Sequence, residues 1–201
     1  MAGADNALLQ LFAKHPREGE VKTRLQADIG ARAATRVYLH CLQHSLNLLD
    51  SAANAELWLN QSSEHPVLRG RDYRLQQGAS LGEKMYHALT QGLQQHSRVI
   101  LFGSDCIDLQ RRHISQAERR LDQHQVVLIP ALDGGYVLIG VRDRVSRQLF
   151  EDIDWSTQRV LHQTIDRARQ VGVDVCVLNP LRDIDHSSDL QHYPALTELL
   201  D

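Results

Sequence analysis

Short, almost uninterrupted apolar runs that alternate with longer helical segments constrain this chain more than any other feature. Arg98–Phe102 (RVILF), Val126–Pro130 (VVLIP) and Tyr136–Val141 (YVLIGV) lack the apolar–polar alternation of a strand with one wet face. Strands buried on both faces need cover on both sides, which predicts a three-layer α/β/α fold around a mainly parallel, mixed sheet. Ala7–Ala13 (ALLQLFA), Ala55–Leu59, Asp72–Gln76 and Val173–Leu178 read as the remaining strands. Between them lie four helical stretches. The first runs from about Thr23 to Leu49, broken near Ile29-Gly30, with Ala34, Val37, Tyr38, Cys41, Leu42, Leu46 and Leu49 on one face. Leu81–Gln95 follows, with Ser80 as cap and Glu83 in capping-box position. Arg111–Gln123 is polar and arginine-rich, and Ser156–Val171 starts at a cap of Ser156 or Thr157. The LDGG between VVLIP and YVLIG predicts a hairpin, the one antiparallel excursion.

The 201 residues fit a single domain over 1–201. With 22 basic and 25 acidic side chains interleaved, the net charge of −3 leaves no basic tail or stripe for nucleic acid. Three scattered cysteines form no disulfide framework and suit a reducing compartment. The N-terminus lacks signal-peptide character, and no apolar run approaches the roughly 20 residues of a membrane span, so a cytoplasmic location is expected.

In such sheets ligands bind beyond the carboxyl ends of the strands, which points to the loops after Phe12, Phe102 and Ile129. Lys14, Arg17, Lys22 and Arg24 crowd the first loop, as a phosphate clamp or as a solvated charged turn. Neither a Walker loop nor a G-x-G-x-x-G fingerprint occurs there. Asp105 ends the central strand as a metal ligand or a cap, and Asp108 fixes the turn through its own backbone. Asp133-Gly134-Gly135 reads locally as the hairpin turn, with close backbone approach to a ligand as the other reading. In Leu181–Leu190 one of three aspartates completes a metal site with Asp105, or the segment caps a helix. His40 and His44 have metal-ligand spacing without H-E-x-x-H, so zinc is discounted, as is a thiol nucleophile at Cys106. No G-x-S-x-G elbow occurs.

Taken in order, F-A-K-x-P-x-x-G-x-V-K-T-R-L, G-S-D-C, D-G-G-Y-x-L-I-G, W-S-T-x-x-V-L and D-I-D-x-x-x-D-L span Leu8 to about Leu190. The set resembles a small bacterial glycosyltransferase family, DUF2064-like, of the GT-A (nucleotide-diphospho-sugar transferase, Rossmann-like) fold. That family is related to nucleotidylyltransferases of the phospholactate guanylyltransferase type. The resemblance implies that Lys14, Lys22 and Arg24 hold the nucleotide's phosphates. Asp105 would bind a divalent metal, Mg²⁺ or Mn²⁺, with Asp185 as second ligand and Asp183 as its substitute. Asp133, Gly134 and Gly135 would line the sugar or acceptor side, while Gly78, Leu81 and Gly82 would lie beside the base; apart from the resemblance, Asp133 is the carboxylate singled out as a base for an acceptor hydroxyl. Three departures bear on competence: Ile107 replaces a proline, Ser80 replaces an aspartate, and His186-Ser187 replace Thr-Pro.

The reaction implied is metal-dependent sugar transfer from a nucleoside diphosphate sugar to an unknown small-molecule or glycan acceptor. The alternatives are a nucleotidylyltransferase releasing pyrophosphate from a nucleoside triphosphate, and a non-catalytic nucleotide-binding module. Partners expected are therefore a nucleotide or nucleotide sugar, the acceptor and a second copy of the chain in a homodimer, with no nucleic acid and no membrane span.

Overall fold

In the computed structural model, which describes residues 6–198, the apolar runs are strands of one seven-stranded sheet. In chain order they are β1 (Leu8–Ala13), β2 (Ala55–Leu59), β3 (Arg74–Leu75), β4 (Arg98–Gly103), β5 (Val126–Pro130), β6 (Tyr136–Arg142) and β7 (Val175–Val177). The spatial order is β3-β2-β1-β4-β6-β5-β7. All neighbours are parallel except β6, which is antiparallel to both β4 and β5. The expected hairpin is present, and its second strand inserts between β4 and β5. This brings the β5–β6 turn to the same edge as the tip of β4.

Successive β1 residues serve opposite layers. Leu9 and Leu11 join a core with Tyr38, Leu42 and Leu46 of helix α1 (Thr23–Asp50) and Ile114 and Ala117 of α3 (Arg111–Arg120). Leu8 and Phe12 join the other core, with Met85 and Leu89 of α2 (Leu81–Leu93) and Ala168 of α4 (Val160–Gln170). A third cluster seats Leu25, Val37 and Cys41 of α1 on the short helices α5 (Ser187–Leu190) and α6 (Pro194–Thr197). Ile107 packs against this cluster. A nonpolar side chain at the proline position therefore still anchors the turn after β4.

Two expected helix starts differ in outcome. Ser80 caps α2, its hydroxyl accepting the Glu83 N–H, while the Glu83 carboxylate accepts from Ala79. The last long helix begins at Val160 rather than at Ser156 or Thr157, because Ser156 adopts φ 64° and leads a non-helical segment first. The Asp72–Gln76 strand shrinks to two residues, which suits its exposed position at the sheet edge.

The break in α1 falls at Gly30, which has φ 81° and ψ 159°. That region is essentially restricted to glycine. A Cβ there would meet no atom within 4 Å, so the constraint is conformational and not steric. Gly30→Ala should destabilise the protein by about 1–3 kcal/mol in urea denaturation, opposite in sign to the helix-propensity gain of alanine. A neutral or stabilising result would mean that the kink is not required.

Candidate functional site

Lys22 precedes α1 in a left-handed conformation, φ 50° and ψ 46°, uncommon for a residue with a side chain. The turn drives its ammonium inward, where the side chain is only 2% exposed. There it pairs with the carboxylate of Asp105, donates to the Ile184 carbonyl at 2.5 Å and lies 3.4 Å from Asp185. Burial by itself would weaken the amine as a base. The fields of Asp105 and Asp185 outweigh it and raise the pKa, so Lys22 stays a cation. Arg24, half exposed two residues on, reaches Asp185 at 3.2 Å and donates to the Ser156 carbonyl at 2.9 Å. The left-handed Ser156 thus aims its carbonyl at the clamp.

Lys14 is fixed through its backbone. The buried Tyr38 hydroxyl accepts the Lys14 N–H at 2.8 Å and donates to the Lys14 carbonyl at 2.9 Å, with Ser104 Oγ 3.4 Å away. Burial first, and the nearby Asp105 second, push the phenol's pKa up, so it keeps the proton it donates. Sequence reasoning read Tyr38 as a core residue, and its place on the apolar face of α1 gave no sign of this polar role.

Asp105 and Asp185 meet around Lys22, but the cluster of carboxylates lies elsewhere. Asp133, Asp183 and Asp185 each place one ligand atom within 4.8 Å of the others, and Asp105 is outside that group. Burial, then Asp133 and Asp185, raise Asp183 from 3.8 to about 7. Asp133 also accepts the Gly135 N–H at 2.9 Å, which fixes the hairpin turn. The hairpin reading of Asp-Gly-Gly holds, and the turn also carries one of the clustered carboxylates. Asp108 accepts a hydrogen bond from the Tyr193 hydroxyl at 2.8 Å, so it ties the post-β4 turn to the C-terminal segment rather than to its own backbone.

A cleft of about 420 Å³ unites these groups; Lys14, Lys22, Arg24, Asp105, Asp133 and Asp185 all line it. Leu81 and Gly135 line it too, whereas Gly78, Gly82 and Gly134 are not among its lining residues. Those three glycines allow loops to touch. A Cβ on Gly82 would sit 2.7 Å from the Trp155 ring, one on Gly134 would fall 2.2 Å from the Gln158 carbonyl oxygen, and one on Gly78 would lie 2.7 Å from Glu83 Cβ. Trp155 and Ser156 are lining residues that the sequence indicated only through W-S-T, and Gln76 was not singled out. Of the discounted groups, His40 is exposed and His44 bonds the Leu109 carbonyl at 2.7 Å. Burial pushes the Cys106 thiol up to about 12, far from a thiolate nucleophile.

The family model described as "Uncharacterized protein conserved in bacteria (DUF2064)" matches residues 34–157, more than half of the chain. The chain belongs to that family. The matched span holds Asp105, the Asp-Gly-Gly turn and W-S-T, while Lys22, Arg24 and the D-I-D loop lie outside it. A crystal structure from Desulfovibrio desulfuricans G20, named a "putative nucleotide-diphospho-sugar transferase", is similar over 98% of this chain and 97% of its own, with 27% identity and a TM-score of 0.85. The fold is accordingly the nucleotide-diphospho-sugar transferase fold. The same fold relates this DUF2064 member to CMP:2-keto-3-deoxy-manno-octonic acid synthetase complexed with CTP (12% identity, 96% and 98% coverage, TM-score 0.56). It also relates it to 2-C-methyl-D-erythritol 4-phosphate cytidylyltransferase from Thermus thermophilus (13% identity, 96% and 99% coverage, TM-score 0.59). No curated protein matches.

The raised Asp183 gives a pH signature. Between 3.8 and about 7 the native state keeps a proton that the unfolded chain has released. Its contribution is therefore complete below the lower value and is lost as pH rises through the upper one. In chelator, Asp183→Asn should flatten the wild-type decline in stability between pH 5 and 8. At pH 8 it should exceed wild type by about 1–2 kcal/mol, less than the full linkage value because the carboxyl is partly exposed. Parallel urea curves for the two proteins at both pH values would show that Asp183 ionises normally.

Proposed function

We propose that this DUF2064 member is a metal-dependent glycosyltransferase, moving a sugar from a nucleoside diphosphate sugar to an acceptor hydroxyl. The observation that carries the reading is the charge balance of the cleft. Lys14, Lys22 and Arg24 share the cleft with three carboxylates, Asp105, Asp133 and Asp185, and Asp183 crowds against the last two from outside the cleft lining. Lys22 and Arg24 are already engaged by Asp105 and Asp185. Such a cleft has no cationic surplus with which to hold a diphosphate until a further cation enters.

The donor set of three carboxylates, in which burial first and the charges of Asp133 and Asp185 second raise the proton affinity of Asp183, fits a hard divalent ion such as Mg²⁺ or Mn²⁺. Asp133, Asp183 and Asp185 would hold it, which moves the proposed metal position away from Asp105 and takes Asp133 out of the role of acceptor base. A cation bound there would offset the charge of the diphosphate leaving group. Lys22 and Arg24 stabilise the same developing charge from the other side, already oriented by their carboxylates and carbonyls. Asp105 keeps Lys22 aimed, and Tyr38 holds the Lys14 backbone at the mouth of the cleft.

The name of the Desulfovibrio relative, a nucleotide-diphospho-sugar transferase, supports this reading. The cytidylyltransferases of the same fold keep nucleotidyl transfer as the second reading. Charge favours the first, because a triphosphate brings more negative charge than a diphosphate diester into a cleft with no cationic surplus. The departures at Ser80, His186 and Ser187 are each absorbed by local structure. Ser80 caps α2, His186 caps α5, and Ser187 bonds Asp28 at 2.5 Å. This favours an active enzyme over a silent binding module.

With Mn²⁺ and a panel of UDP-, GDP- and CDP-sugars, release of free nucleoside diphosphate is the expected product, lost in chelator. Lys22→Met and Asp185→Asn should each lower kcat/KM by at least about 10²–10³, the range for removing one preorganised charge partner. Pyrophosphate release from a nucleoside triphosphate, with no turnover of any sugar donor, would replace this assignment by nucleotidyl transfer.

A further inference from the structure

A second concavity, of about 380 Å³, lies where α3 passes the carboxyl ends of β5 and β7. It has no part in the cleft described above. Arg112, Gln116 and Arg119 recur at helical spacings of four and three, which sets them on one face of α3. His113 joins that wall, and Ile129, Leu178 and Leu181 supply an apolar wall. The paired main chains of Ala131 and Leu181 stand between this groove and the loops that carry Asp133 and Asp183.

Surface arginines divide into those matched by a carboxylate and those that are not. Arginines 71, 98, 147, 159, 167 and 169 each meet a carboxylate. Neither Arg112 nor Arg119 forms an ion pair among the described residues; Arg112 bonds the neutral side-chain oxygen of Gln110. Both guanidinium groups are exposed. Gln110 N–H donates to Nδ1 of His113 at 3.1 Å, which leaves Nε2 carrying the hydrogen and free to donate. Burial, and Arg112 after it, hold the His113 pKa below its usual value, in keeping with that neutral tautomer.

We infer that this groove binds a small organic phosphate: Arg112 and Arg119 take the phosphate oxygens, His113 and Gln116 add neutral donors, and the apolar wall holds the ligand's carbon body. Arginine is suited to multi-point phosphate contact, and the volume falls in the range of about 300–1,000 Å³ typical of small-molecule sites. Two arginines on one short wall match one compact dianion better than an extended polyanion, which needs a basic stripe.

Phenyl phosphate and inorganic phosphate, titrated into the ¹⁵N-labelled full-length protein, test the assignment. Saturable shifts should appear at the backbone amides of residues 112–119 and 178–181, with phenyl phosphate the tighter of the two. In Arg112→Gln/Arg119→Gln its affinity should fall by about 100-fold, roughly tenfold for each guanidinium removed. Arg24→Ala should leave these shifts unchanged, because Arg24 belongs to the other cleft. Shifts confined to residues 14–24 and 104–105, or equal affinity in the double variant, would overturn the inference. So would a single-stranded oligonucleotide that moves the same amides more tightly than phenyl phosphate does. The wild-type shift map decides even if the double variant fails to fold.

Discussion

One buried ammonium organises the active edge of this protein. Lys22 links the loop after β1 to the tip of β4 through Asp105 and to the post-β7 loop through Ile184 and Asp185. A charge sealed from water is tolerated only when partners replace its hydration, and removing a single partner from such an arrangement typically costs about 3–5 kcal/mol. The three loops therefore hold their geometry together or lose it together. The left-handed backbone of Lys22 belongs to the same arrangement, since local strain persists only where the surroundings over-determine it. Backbone pairing reinforces the link, with the Ile184 N–H donating to the Asp105 carbonyl at 3.0 Å.

Topology explains why these loops meet. In a parallel sheet the strand ends of β1 and β4 share an edge, and β7, parallel to β5, delivers the D-I-D loop to it. The inserted antiparallel β6 is the less obvious contribution. With β6 between β4 and β5, the turn that precedes it opens at the carboxyl edge, and Asp133 comes within reach of Asp183 and Asp185. The Ala131–Leu181 bridge then locks the hairpin to the post-β7 loop.

Elements whose physics is local were legible in the sequence. RVILF, VVLIP and AELWL announce their strands because apolar β-formers bounded by turn residues have few other states, and Gly30 announces the break in α1. The cationic loop and Asp105 were legible as chemistry at strand ends. What the sequence did not disclose depends on contacts between distant segments. The engagement of Lys22 by Asp105, and the grouping of Asp133 with Asp183 and Asp185, follow from the strand order. Local propensity misplaced the start of α4 because the Ser156 carbonyl is drawn to Arg24, and that contact spans 132 residues. Gly78, Gly82 and Gly134 looked like ligand approaches, yet they admit Glu83, Trp155 and Gln158. A glycine signals close approach without saying what approaches.

The burial and crowding that lift Asp183's proton affinity bear on how the cleft would work. Among Asp133, Asp183 and Asp185 the electrostatic deficit is positive charge, and a proton on Asp183 supplies part of it. A divalent cation would supply more, so under the proposed function proton and metal would compete for one group of oxygens. The clamp on the facing side is balanced by contrast, since Lys22 and Arg24 are matched by Asp105 and Asp185. Phosphate oxygens approaching Lys22 must therefore displace part of the field of Asp105 or Asp185. The carboxylate better able to yield is Asp185, because it also belongs to the acid cluster and can turn its charge toward a cation. Asp185 is in this way the hinge between the two halves of the cleft, shared between the cationic clamp and the acids. Metal and phosphate would then favour one another through a single side chain, without any movement of the sheet.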